Sequence, residues 1–197
     1  MKKELKHHYI GASYGGNQEW FSGFMMKIGG CAAETAIECC IYFDRNFKTS
    51  LCPFDADKVT KENFVSLGEI MKPYLRPRMS GIDRLSIYID GFGRYLSDKN
   101  SPIKLSGIEG SESCEKAKAA LISQIDREIP VPFLCLYHSN SSFKEYEWHW
   151  FLINGYELFD NTLMVKAVTY STWEWLNFDD LWNTGRARKG GMILIDI

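Results

Sequence analysis

Cys31 directly follows the glycine pair Gly29-Gly30 and opens a run whose apolar residues recur at helical spacing. A thiol in that position is placed for nucleophilic chemistry. The first turn of a helix carries unsatisfied N–H groups and about half a positive charge, which favours the thiolate and draws its pKa from ~8.5 toward roughly 3.5–7.5. The same N–H groups can hold the oxyanion that develops when sulfur attacks a carbonyl. A nucleophilic thiol also needs a group that takes and returns a proton near neutral pH, and histidine suits that role. The chain has four histidines. His7 and His8 fall in a polar N-terminal tail and His138 at a strand-to-loop junction, whereas His149 stands inside the aromatic run Tyr146-Glu147-Trp148-His149-Trp150-Phe151. An imidazole in so apolar a strand needs a reason, and pairing with Cys31 supplies one.

These two side chains must be positioned by very different elements. Ala33, Ala36, Ile37, Cys40 and Ile41 recur at three- and four-residue steps after Cys31, which predicts an amphipathic helix ending near Phe43, with Glu34 and Glu38 on its other face. The glycine pair ahead of it permits positive φ and close backbone approach. Further helices are expected at Thr60–Tyr74, Gly81–Leu96 and Ser111–Ile129, with a short strand at Ile103–Ile108. The last third reads as strands: Val131–Tyr137, Tyr146–Gly155, Leu163–Tyr170 and Met192–Ile197. Phe159-Asp160-Asn161-Thr162 is a hairpin turn, so the second and third of these strands should be antiparallel neighbours.

Taken together, the residues resemble the papain-like cysteine peptidases, in particular the branch similar to bacteriocin leader peptidases that cut after a double glycine. Asn17-Gln18 followed by Gly30-Cys31-Ala32-Ala33 looks like that family's glutamine and cysteine helix start. His149-Trp150-Phe151-Leu152-Ile153-Asn154-Gly155-Tyr156 looks like its His-Trp-Val-x-Val-x-Gly strand, and Ile122–Phe133 resembles the segment before it. Trp175–Trp182 resembles the segment after its last catalytic strand. The resemblance implies an α+β, papain-like fold: an N-terminal helical part with the cysteine at a helix start, packed on a C-terminal antiparallel β-sheet that carries the histidine. It implies Cys31 as nucleophile, His149 as base and Gln18 as oxyanion donor.

Two positions depart from the pattern. Gln18 stands thirteen residues before Cys31, which makes Trp20–Ile28 an inserted loop. The family places an Asp or Asn where the strand Met164–Tyr170 offers Thr169. Asp160 and Asn161 lie too far along the hairpin to orient the histidine, since some ten residues at ~3.3 Å each exceed about 20 Å. The residues returning beside His149 fall between Thr169 and Glu174, so Thr169 is the expected orienting residue, with Ser171, Thr172, Glu174 or a backbone carbonyl as alternatives.

Composition narrows the field around this site. The chain has 197 residues, 45% hydrophobic and 24% charged, with a formal net charge of −2. That suits one globular domain over 1–197. The scattered basic residues give no footprint for nucleic acid or an anionic membrane, and no segment reads as a signal peptide or membrane span. The expected location is the cytoplasm. The six cysteines are expected as reduced thiols, because Cys39 and Cys40 adjoin inside a helix. A zinc site from Cys135, His138 and His149 lacks paired spacing and a fourth ligand, and Gly91-Phe92-Gly93-Arg94 is a weak phosphate-loop signal. The expected activity is hydrolysis of a peptide, or of another amide or thioester bond in a small acyl substrate, with no cofactor. The alternatives are acyl transfer by the same site, a catalytically silent module that binds a peptide or protein partner, and a structural protein that assembles through its aromatic surface.

Overall fold

The computed structural model describes residues 1–78 and 81–197. In chain order, β1 (Lys2–Glu4), β2 (Tyr9–Ile10) and β3 (Ser13–Tyr14) are followed by α1 (Phe24–Gly29), α2 (Cys31–Phe47), α3 (Lys61–Met71) and α4 (Leu85–Asp98). Then come β4 (Lys104–Glu109), α5 (Cys114–Asp126), β5 (Val131–Cys135), β6 (His149–Phe159), β7 (Thr162–Thr169), β8 (Thr172–Asn177), α6 (Phe178–Trp182) and β9 (Gly190–Asp196). The fold is α+β, with the helices concentrated in the first two thirds and an antiparallel sheet dominating the rest.

The main sheet runs β4-β9-β5-β6-β7-β8, every pair antiparallel. One edge of β6 is shared by two partners. β5 pairs along its first half, from Cys135↔His149 to Val131↔Ile153, and β1 takes over along its second half, from Glu4↔Gly155 to Lys2↔Glu157. Eight successive residues of β6, His149 to Tyr156, are buried, so helices must cover both faces. Alternate side chains show how. Trp150 stacks on Tyr88 of α4 at 4.4 Å, whereas Phe151 packs on Phe133, which meets Trp182 of α6.

Local chemistry explains most of the boundaries. Thr60 caps α3 in a reciprocal capping box with Asn63, and Ser113 caps α5. Asp160 and Asn161 both adopt positive φ, 44° and 65°, in the expected turn between β6 and β7. The turn from β7 to β8 is made by Tyr170 and Ser171, at φ 50° and 64°. Tyrosine is no turn signal, so β8 was not separable in the sequence.

Gly91 and Gly93 lie inside α4, in keeping with the weakness of the phosphate-loop signal; a Cβ on Gly91 would crowd the Tyr74 carbonyl. Several expectations need correction. Trp20–Ile28 is not a loop, since a 3-10 turn at Gln18–Trp20 leads into α1. Gly30 has φ −86°, so its value is close approach: a Cβ there would meet the Met26 carbonyl oxygen at 2.2 Å. Finally, α2 is not amphipathic in place. Every residue from Cys31 to Phe43 is buried, Glu34 and Glu38 included, because the segment His7–Phe21 lies over its polar face. That segment is no tail: Leu5, His7, His8 and Ile10 are all buried.

Candidate active site

Cys31 is the first residue of α2, where Gly30 lends its carbonyl to the Glu34 N–H at 2.8 Å. The N–H groups ahead of Glu34 have no partner within the helix. Backbone N–H groups of Trp150, Ala32 and Cys31 itself bear on the sulfur and favour its thiolate, but burial outweighs them and pushes the thiol up to about 11. The expectation of an acidic thiol is therefore corrected for the free protein. The helix terminus is present, yet Cys31 is buried, and its thiolate would lose more hydration than the terminus returns.

His149 begins β6, one residue before the Trp150 N–H that faces the sulfur. Its Nε2 lies 2.7 Å from Thr169 Oγ1, on the last residue of β7. Tyr170 stacks its ring on the imidazole at 4.8 Å and 4° between planes. Burial lowers the His149 pKa to about 4, so the ring is neutral at pH 7. Both neighbours that hold it are unusual in backbone: Trp148 has φ 57° and Tyr170 φ 50°. Bulky residues rarely occupy the left-handed region, and such strain concentrates at functional sites. Tyr170 is a site residue that sequence reasoning missed, because nothing in its neighbours marks it as a turn.

The alternatives to Thr169 are otherwise engaged. The Ser171 hydroxyl donates to the Gly16 carbonyl, Glu174 accepts from the Tyr146 hydroxyl, and Thr172 faces Thr169 across the β7–β8 ladder. Gln18 is buried at the end of the segment over α2, but its side chain does not offer an N–H to a substrate. Its Nε2 donates to the Lys27 carbonyl at 2.9 Å and the Ile28 carbonyl at 3.2 Å, and its backbone N–H donates to Glu34 Oε2. In this conformation Gln18 ties the last turn of α1 to the start of α2.

An apolar cavity of about 500 Å³ opens beside the sulfur, with Cys31, Ile28, Leu134, Leu136, Trp148 and Trp150 among its walls. The exposed Phe24 and Met25 of α1 flank it, and Arg78 supplies a charge. Cys135, His138 and His149 do not gather as a metal-ligand cluster among the described residues. His138 instead places Nε2 2.9 Å from the Asp180 carbonyl and accepts from the Asn140 N–H through Nδ1. All six cysteines are free thiols. Among the described residues no helix is long and apolar enough to cross a membrane.

No protein-family model matches the chain, and neither a curated protein nor a solved structure matches it.

Proposed function

We propose that the chain is a papain-like, cysteine-dependent hydrolase of acyl compounds, with Cys31 as nucleophile, His149 as base and Thr169 as the residue that positions His149. The observation that carries this reading is the convergence of three elements. The α2 start presents a thiol among backbone N–H groups, one of them that of Trp150, the residue after His149 on β6. β7 returns Thr169 to Nε2 of the imidazole. The apolar cavity at the sulfur supports an uncharged, hydrophobic acyl group as the part recognised.

The chemistry starts from neutral partners. His149 donates its Nε2–H to Thr169, which leaves the Nδ1 lone pair to take the Cys31 proton as a carbonyl carbon approaches. The S–C bond forms, and the carbonyl oxygen becomes an oxyanion held by N–H groups at the α2 start. The bond to the leaving group breaks as His149 returns the proton to it. Water then attacks the thioester, gives a proton to His149, and releases the acid as the Cys31 thiol reforms. An amine in place of water gives acyl transfer by the same steps.

A second reading, a papain-like module that binds a peptide without cleaving it, is favoured by one specific set of observations. The thiol is raised rather than activated, and the Gln18 amide hydrogens are already bonded to α1. Steady-state hydrolysis of a series of p-nitrophenyl esters with lengthening alkyl chains separates the two. The hydrolase predicts kcat/KM rising roughly fourfold per added CH₂, from about 0.8 kcal/mol each, until the cavity is full. It also predicts loss of turnover in Cys31→Ala. Equal rates in the wild type and Cys31→Ala would leave the binding module.

A further inference from the structure

Away from Cys31, the segment over α2 buries three lone-pair-bearing side chains against one another. Glu38 Oε2 lies 2.9 Å from His7 Nε2 and 3.1 Å from His8 Nε2, with both imidazoles fully inaccessible. All three atoms lie within 4.8 Å of one another. Neither contact has the geometry of a hydrogen bond, and Oε2 and both Nε2 atoms are buried without a hydrogen-bond partner. The other carboxylate oxygen, Oε1, is fixed by the Gly16 N–H at 2.5 Å, which leaves Oε2 aimed at the two rings.

We propose that His7, His8 and Glu38 form a buried site for a divalent transition-metal ion, zinc by preference, that staples the N-terminal segment to α2. Two imidazoles and one carboxylate oxygen are a three-ligand zinc set, with a fourth position for water. Bonds of roughly 2.0–2.2 Å to each ligand place tetrahedral neighbours about 3.3–3.5 Å apart. The observed 2.9 and 3.1 Å need only a few tenths of an ångström of opening. The Gly16 N–H plays the outer part that orients a ligating carboxylate. Gly15, at φ 75°, passes over the cluster so closely that a Cβ would meet His7 Nε2 and Glu38 Oε1 at 2.9 Å each. A bare glycine there keeps the ligand atoms approachable.

Each of the three ligand atoms, His7 Nε2, His8 Nε2 and Glu38 Oε2, has a lone pair that no hydrogen bond of the structure uses. The nitrogen and oxygen donors select ions such as zinc, cobalt or nickel over magnesium or calcium. Glu38 lies seven residues after Cys31 on α2, so the ion would anchor the nucleophile's helix without touching the thiol.

The test uses full-length protein freed of metal by a chelator and titrated with cobalt(II) and with zinc(II). The expected result is one ion per chain, visible cobalt bands of a four-coordinate site without the charge-transfer band of a thiolate, and a higher unfolding temperature. In ¹⁵N-histidine spectra, zinc should shift two imidazoles, His7 and His8, with His138 and His149 as internal controls. Glu38→Gln keeps the acceptor for Gly16 and should weaken zinc at least ~100-fold, at the upper end of the loss seen when only an outer partner of a ligand is removed. Should that variant fail to fold, the wild-type spectra decide. No uptake of either ion at micromolar concentration overturns the proposal. So does binding that shifts His138 or His149, or shows a thiolate band.

Discussion

Burial sets the protonation states of the two side chains proposed to react. Cys31 is held up at about 11 and His149 down at about 4 by loss of hydration, so neither is charged at neutral pH. Iodoacetamide should therefore alkylate Cys31 slowly, at a rate that keeps climbing with pH and gives an apparent pKa well above the ordinary ~8.5. A plateau below pH 7 would mean a preformed thiolate and would contradict the burial. Turnover needs His149 neutral, so kcat/KM for an ester should rise as pH climbs through about 4 and then hold level to neutrality. Thr169→Ala removes the 2.7 Å partner of a buried ring nitrogen. It should lower kcat roughly tenfold, equivalent to about 1.4 kcal/mol, with Thr169→Ser restoring most of the rate. A loss that serine does not restore would point to packing rather than the hydroxyl. The places of Cys31 at a helix start, His149 on a strand and Thr169 beside its ring were legible at this scale, because helix start, strand and hairpin return follow from local patterns. The raised thiol was not, because burial is a property of what folds over α2.

At the scale of elements, the start of α2 depends on one close approach. Gly30→Ala sets a Cβ at 2.2 Å from a backbone carbonyl of α1, which can be relieved only by moving that helix. The expected cost is about 2–3 kcal/mol in urea unfolding, with a changed alkylation rate at Cys31. A neutral substitution would mean that α1 moves freely, and with it the Gln18 tie to Lys27 and Ile28. α3, α5 and the β6–β7 hairpin were readable because caps and turn residues mark them. α1 was not, since six residues flanked by glycines look like loop. β8 was hidden by the Tyr170-Ser171 turn, whose positive φ is imposed by the ladder with β7 and the ring stacked on His149 rather than by the residues' own preference.

Across the whole molecule, the N-terminal segment converts an amphipathic helix into a core helix. Its polar face survives by exchanging water for Gly16, Gln18 and the two imidazoles. No local pattern announces this, because the partners lie 16 to 22 residues upstream for the backbone bonds. Glu34 records the consequence. Burial, with Glu38 close by, raises its carboxyl to about 8. A raised acid favours the protonated fold, so its contribution is complete below the ordinary 4.5 and disappears as pH climbs through about 8. Glu34→Gln keeps an acceptor for the Gln18 N–H without the charge. Relative to wild type, its stability in urea should improve between pH 4.5 and pH 8 by on the order of 3–5 kcal/mol. An unchanged difference across that range would show that Glu34 is solvated.

The pairing of Cys31 with His149 is tested most directly by single-turnover acylation with p-nitrophenyl butyrate, read by intact mass and peptide mapping. The account predicts one butyryl group, on Cys31, formed at least ~100-fold more slowly in His149→Ala, the share a general base contributes. An adduct elsewhere, or one on Cys31 that forms equally fast without His149, would contradict it.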